Sequence, residues 1–202
     1  MVLFLLHIYF SANYQEKLGV QTVSQGNKLF DLGDLYHEFN ITFTFQFDTP
    51  DNSKEKSIFR LTNTNAGGGV GNSGDRMPAI VVDGDNPSTL SVYTAVDTNL
   101  NEKITMPSTL TLGQPYSIQV KQSLIKGQWT VQIFNDDTME VEKKIRWGTP
   151  TIYENMKAYA CDSRANAPSS ATVTDVKVWT GTNFVSYKCN TELWCVLYID
   201  LK

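Results

Sequence analysis

Gly69, Gly71 and Gly74 fall at the spacing Gly-x-Gly-x-x-Gly within the stretch GGGVGNSGDRMPAI, residues 67–80. That spacing cradles a dinucleotide when a strand precedes it and a helix follows, because the helix N-terminus holds the pyrophosphate. Here the run leads through Pro78 into Ala79-Ile80-Val81-Val82, which favours a strand over a helix. A phosphate loop fails as well. Asp75 and Arg76 stand where Lys and Ser or Thr should follow Gly74, and Asp75 would repel phosphate. The run is therefore read as a long loop joining two strands, in which glycine permits positive φ and chain reversal. Its chemical content is the adjacent pair Asp75 and Arg76.

A second loop, YACDSRANAP at residues 159–168, offers Tyr159, Asp162, Arg164 and Asn166 together. An aromatic ring beside planar polar groups suits a sugar, whereas a polar loop with an exposed Asp–Arg pair would contribute little. Both loops hold an Asp and an Arg. They are expected to converge at one edge of the fold, where Asp75, Arg76, Tyr159, Asp162, Arg164 and Asn166 would form a ligand-binding surface. The competing account is that Asp–Arg pairs only tie the loops together. Asp83, Asp85 and Asn86, around Gly84 in VDGDNPS, are expected nearby. They supply oxygen ligands that calcium needs, although a tight Asp-Gly-Asp-Asn turn accounts for them without metal. Calcium is the one cofactor the sequence suggests.

Residues for catalysis are scarce. The histidines are His7 and His37, no Gly-x-Ser-x-Gly is present, and His37-Glu38 lacks the second histidine of a zinc-protease motif. His37 shares the parity of Phe39 and Ile41 and is read as a partly buried structural residue. Glu140 and Glu142 lie two apart and should share a strand face, with Met139, Val141 and Ile145 on the other. They are expected to face solvent. As a glycosidase pair they would need Glu38 or Asp162 from elsewhere in the fold. The cysteines are Cys161, Cys189 and Cys195, with no Cys-x-x-Cys. In an exported chain this odd count implies one bridge and one free thiol. Cys189 and Cys195 could close a small loop, and Cys161 could pair with either. Asn40-Ile41-Thr42 is a glycosylation sequon, meaningful only in an exported chain.

The elements that must hold these residues are strands. In HEFNITFTFQFD, residues 37–48, Phe39, Ile41, Phe43, Phe45 and Phe47 alternate with polar residues, so one face is buried and the other wet. Asn40 lies on the wet face. Further strand-like runs are Ser57 to Leu61, Ala79 to Val82, Thr89 to Val96, Tyr116 to Gln122, Gln128 to Phe134, Met139 to Ile145, Lys157 to Cys161 and Ala171 to Trp179. Turn-forming clusters such as TPDNS, LGQP, NDD and WGTP separate them. No segment has helical periodicity. The fold class is all-β, an antiparallel two-sheet sandwich.

At 202 residues with 41% apolar and 19% charged residues, the chain fits one domain with short tails. A net charge of −4 without a Lys/Arg cluster excludes a nucleic-acid binder. The apolar run Val2 to Phe10 is too short to span a bilayer, which needs about 20 residues. Its length suits a secretory signal, although no Lys or Arg precedes it and bulky Phe10 stands three residues before a cut after Ala12. The expected organisation is a signal peptide over 1–13, a sandwich domain over 14–181, and a closing strand or tail over 182–202 that ends in the apolar LWCVLYIDLK.

The order of strands and turns resembles the laminin-G-like, concanavalin A-like jelly roll. The resemblance rests on HEFNITFTFQF as an early core strand and on GDRMPAIVVDG with TLSVYTAV as a central hairpin. LTLGQPYSIQVKQSLIKGQWTVQIFND supplies a glycine turn and two strands, and ATVTDVKVW a closing strand. It covers about Leu29 to Trp179. Tyr116 stands where the family more often has Trp, and FNDD replaces an Asn-Gly turn. The Glu-x-Asp-x-x-Glu glucanase motif and a complete lectin metal motif are absent. The resemblance implies a secreted, extracellular, non-enzymatic binding or adhesion module that recognises a glycan or an extracellular protein through rim loops. Alternatives are a structural subunit of an extracellular assembly, joined through the C-terminal segment, and a glycoside hydrolase or lyase on the same scaffold.

Overall fold

The computed structural model describes residues 12–36, 38–47, 55–64, 75–82, 89–96, 99–125, 128–147, 152–161, 167, 170–181, 188–190 and 194–196. Among them there is no helix. Alternation makes the strands: in β3 (Glu38–Phe47) the five residues Phe39, Ile41, Phe43, Phe45 and Phe47 are all buried, and the residues between them are half-exposed. Such a strand must cover its apolar face with a second layer, and two six-stranded antiparallel sheets result.

The first sheet runs in the order β1 (Ala12–Thr22), β12 (Ala171–Gly181), β3, β8 (Tyr116–Ile125), β9 (Gln128–Asn135) and β10 (Thr138–Trp147). The second runs β2 (Lys28–Leu35), β11 (Tyr153–Tyr159), β4 (Lys56–Thr62), β5 (Ala79–Val82), β6 (Leu90–Val96) and β7 (Asn99–Thr105). One core lies between them, including the β3 aromatics, Ile118, Val120, Val131, Ile133, Val173, Val176 and Val178 from the first sheet and Ile58, Phe59, Leu61, Ile80 and Val92 from the second. Phe43 and Phe59 stack across the layers with centroids 5.8 Å apart. The Thr94 hydroxyl donates to Gln122 Oε1 at 2.8 Å, a buried polar tie between the sheets. At one edge Lys143 of β10 pairs with Glu102 of β7.

Turn chemistry closes the hairpins. Asp136 and Asp137 take positive φ of 47° and 62° between β9 and β10, a conformation that Asp tolerates better than most residues. Gly113 has φ 74° in the turn before β8, and its N–H donates to the Phe47 carbonyl at 2.8 Å.

Several sequence expectations need correction. Three strands were not anticipated, namely β1, β2 and β7. The run expected over Lys157–Cys161 is a strand over Tyr153–Tyr159. Met139 was expected on the inner face with Val141 and Ile145. A register shift between Met139 and Val141 turns it outward, where it is 50% exposed, while Ile145 is buried. The C-terminal strands β13 (Lys188–Asn190) and β14 (Trp194–Val196) pair with each other and with neither six-stranded sheet. Their register places Cys189 opposite Cys195. The first strand, β1, opens at Ala12. Residues 1–11, His37 and the glycine run at 67–74 lie outside the described residues. The strands flanking that run, β4 and β5, are antiparallel neighbours.

Candidate functional site

Strand register assembles a row of side chains across the outer face of the second sheet. Successive Cα partners are Lys28, Tyr159, Arg60, Ala79, Tyr93 and Lys103, one from each strand. Ala79, Val81 and Tyr93 form an apolar cluster separate from the main core, which marks this as the face turned away from the first sheet. All seven residues of β4 are buried, Lys56 and Arg60 included, so the middle strands of this sheet are covered on both faces.

The row has two centres. In the first, Arg60 and Asp75 are 3% and 2% exposed. Arg60 Nε donates to the Asp75 carbonyl at 2.5 Å, and Arg60 Nη2 stands 3.9 Å from Asp75 Oδ1. The Thr64 hydroxyl donates to the same Oδ1 at 3.1 Å. The chain that leaves β4 is thus fixed to β4 where it returns to enter β5. Burying such a charge is costly unless it is paired and hydrogen-bonded, so this centre is structural support. Tyr159, on the far side of Arg60, is also buried.

The second centre is built on Tyr93. The Arg76 guanidinium lies 4.7 Å from the ring centroid and the Lys103 ammonium 5.5 Å. The phenol donates a short hydrogen bond to Glu55 Oε1, and Lys103 Nζ donates to the same oxygen at 2.7 Å. Arg76 Nη1 donates to Asn101 Oδ1 at 2.5 Å. The ring is only 8% exposed, while Lys103 and Glu55 remain accessible at 38% and 36%. The platform therefore presents a guanidinium, an amide, an ammonium and a carboxylate, and hides the aromatic that orders them.

The titration of these groups follows from the same contacts. Burial acts to raise the Glu55 carboxyl, but hydrogen bonds from Lys103 and Tyr93, with the charges of Lys103 and Arg76, hold it below its usual value. Burial and the bond to Glu55 push the Tyr93 phenol up. The hydrogen bond to Glu55 raises Lys103 against a smaller opposing effect of burial.

Of the residues singled out by sequence, Arg76 stands on this platform, and Asp75 and Tyr159 lie buried on the same face. Asp162, Arg164, Asn166, Asp83, Asp85 and Asn86 lie outside the described residues. The residues of the two loops that were expected to converge, 65–74 and 162–166, lie outside the described residues, but the strands flanking them are described. β5 is entered beside the end of β4, where Leu61 bonds to Met77 and Pro78. β11 runs antiparallel to β4, passes Thr62 at Lys157 and Arg60 at Tyr159, and heads for the opening of β4. The last described residues of β4 and of β11 therefore lie toward opposite ends of the sheet. Val82 pairs with Lys56, at the end of the sheet toward which β11 runs. Among the described residues no three His, Cys, Asp or Glu side chains are grouped to hold a metal.

The glutamates considered for catalysis are engaged or apart. Glu142 accepts from Gln132 at 2.7 Å on the outer face of the first sheet. Glu38 is buried, and its Oε1 accepts from the Leu124 amide at 2.9 Å. Sequence reasoning missed Glu55, Arg60, Tyr93, Asn101 and Lys103. The signal for Tyr93 was present: it shares the parity of Ser91 and opposes Leu90 and Val92, so it is an aromatic on a polar face.

No protein-family model and no curated protein matches the chain. Solved structures do. The receptor binding domain of botulinum neurotoxin D superposes with a TM-score of 0.56 at 10% identity, over 83% of this chain and 44% of that one. The fold is a two-sheet jelly-roll sandwich. A native heptameric SAP-like pentraxin from Limulus polyphemus gives 0.51 at 13% identity, over 83% and 75%. A second structure of the serotype D binding domain gives 0.55 at 9% identity, over 83% and 43%. The chain spans less than half the length of the toxin domains it matches. At these identities the likeness establishes the β-sandwich, lectin-like fold and nothing about ligands. No helix among the described residues is long and apolar enough to cross a membrane.

Proposed function

We propose that this chain is a non-enzymatic, extracellular binding module of the laminin-G-like, concanavalin A-like kind, which recognises a glycan or an extracellular protein. The observation that carries the reading is the platform on Tyr93. Four hydrogen-bonding side chains of different charge gather at one buried ring, with Arg76, Lys103 and Glu55 against it and Asn101 held by Arg76. Recognition of hydroxyl-rich or acidic ligands uses such preorganised groups, because little ordering is left to be done on binding. Arg76 and Asn101 are the contact residues, Lys103 and Glu55 complete the surface, and Asp75 with Arg60 holds the segment that delivers Arg76. Asp162, Arg164 and Asn166 are proposed as further contacts, and any calcium belongs to Asp83, Asp85 and Asn86. The test is a glycan array with an extracellular-protein pull-down, each with and without calcium. Arg76→Ala and Asn101→Ala should lose the binding of the native chain with an unchanged melting temperature. Silence of the native chain in both assays overturns the reading.

A specific observation supports a second reading, a subunit of an extracellular assembly. In β1, Tyr14, Leu18 and Val20 are exposed, and the strand pairs only with β12 among the described residues. An open edge with apolar side chains is a surface on which another strand can add. This shifts the joining element from the C-terminal segment to β1. Sizing of the native chain against Leu18→Lys and Val20→Lys tests it, and a monomer in all three rejects it.

A further inference from the structure

The outer face of the first sheet carries a second row, with successive Cα partners Tyr14, Trp179, Asn40, Lys121, Gln132 and Glu142. Asn40 and Thr42 of the sequon lie two apart on β3, so both stand on this face, and both are half-exposed. Gln119 Nε2 donates to Asn40 Oδ1 at 2.9 Å, which orients the amide. Asn40 Nδ2 makes no hydrogen bond among the described residues. Trp179, on the adjacent strand, is half-exposed, and Tyr14 beyond it is 52% exposed. Trp179 therefore lies partly exposed on the strand next to the amide, and exposed Tyr14 one strand further on, on a face otherwise made of polar and charged residues.

We infer that Asn40 carries an N-linked glycan whose first sugar lies against Trp179. The inference rests on the extracellular reading above. A lipid-pyrophosphate-linked oligosaccharide is the donor. Asn40 Nδ2 loses one proton and bonds to the anomeric carbon, and the pyrophosphate lipid leaves with the electron pair of the broken C–O bond. Cross-strand Cβ atoms are about 5 Å apart. The ring attached at Nδ2 thus reaches the Trp179 indole and can place its C–H face there, which shields the part of the indole left exposed. The alternative, an unused Asn-x-Thr on a wet strand, explains neither the oriented amide nor the partly exposed indole beside it. The glycan would also close this face to other partners and leave recognition to the second sheet.

The test is expression of the full chain behind a host secretion signal in eukaryotic cells, so that export does not depend on its own N-terminus. Intact mass should show an oligosaccharide that amidase treatment removes. Asn40→Gln and Thr42→Ala should lack it, and Thr42→Ser should keep it. An exported native chain without sugar overturns the inference while the binding reading stands on its own assays. For the contact, enzymatic removal of the glycan should lower the melting temperature by about 2 °C in the native chain, taking the contact as worth an aromatic pair, and by nothing measurable in Trp179→Ala or Trp179→Leu. An equal fall in all three rejects the role of Trp179.

Discussion

Asp75→Ala separates support from contact on the second sheet. The variant removes a carboxylate that is 2% exposed and leaves Arg60, 3% exposed, with its Nε bond to the residue 75 carbonyl but without the opposing charge. It also removes the acceptor of the Thr64 hydroxyl, which keeps only its contact with the Thr62 hydroxyl at 2.9 Å. Breaking one side of a buried pair costs about 3–5 kcal/mol, most of it the penalty of an uncompensated charge. The backbone bond survives and the Nη2–Oδ1 separation is long at 3.9 Å, so the low end, about 3 kcal/mol, is expected. At about 3 °C per kcal/mol for a chain of this size, the melting temperature should fall by about 9 °C. Thermal unfolding followed by circular dichroism reads this directly. Arg76→Ala, which removes a surface group, should stay within about 0.5 kcal/mol. The double variant Arg60→Met with Asp75→Leu should recover most of the loss, since apolar replacement of a buried pair is often near neutral. A fall below about 2 °C for Asp75→Ala, or no recovery in the double variant, would refute the assignment of Asp75 as buried support.

Stability should depend on the Tyr93 platform at both ends of the pH scale. The lowered Glu55 contributes stability present above its usual 4.5 and lost as pH falls through its folded value, and the raised Lys103 and Tyr93 contribute stability present below their usual 10.5 and 10.0 and lost as pH rises through theirs. Denaturant midpoints across pH should therefore show a plateau, and Glu55→Gln should flatten its acid shoulder; an unchanged shoulder would contradict the coupling. Cys161 is buried and its thiol is pushed up to about 11, chiefly by burial, so peptide mapping after alkylation at pH 8 should find it modified only in denaturant. Thr94→Val and Gln122→Leu should each cost about 1–3 kcal/mol by stranding a buried partner, and the pair together less than the sum. Strict additivity would show that the bond between the sheets is not formed.

What the sequence disclosed follows from where each strand sits. β3 is central in its sheet and covered on one face, so its alternation survives intact in the residue types. β1 is an edge strand with residues 14–20 all exposed, and a strand with no covered face leaves no period-two signal. β7, at the edge of the other sheet, buries only Ile104 among the residues whose burial is described. β2 hides for another reason. Leu29, Leu32 and Leu35 are buried at intervals of three because Gly33, at φ 81°, breaks the pleat. The site suffered from the same gap. Without β7 neither Lys103 nor Asn101 could be placed beside Tyr93, and a salt link between residues 48 apart leaves no local trace.

The loops drew attention because Asp, Arg and Gly are chemically conspicuous, yet the described end of one of them serves the sheet. Asp75 is spent on Arg60, and it fixes the backbone that carries Arg76 to Tyr93. A neighbouring pair of residues is thus divided: one side chain is buried to hold the segment, and the next lies over a ring on the sheet surface. Both act on the outer face of the second sheet, so the division is one of burial, Asp75 against Arg60 and Arg76 over Tyr93. It has a functional consequence. A contact residue anchored one position from a buried ion pair cannot sample widely, so Arg76 meets a ligand with little conformational entropy left to lose. If Asp75→Ala weakens ligand binding in protein kept well below its melting temperature, the weakening should be smaller than that of Arg76→Ala and should come from a slower association. The reverse order would place the recognition chemistry on Asp75 itself, which its burial opposes.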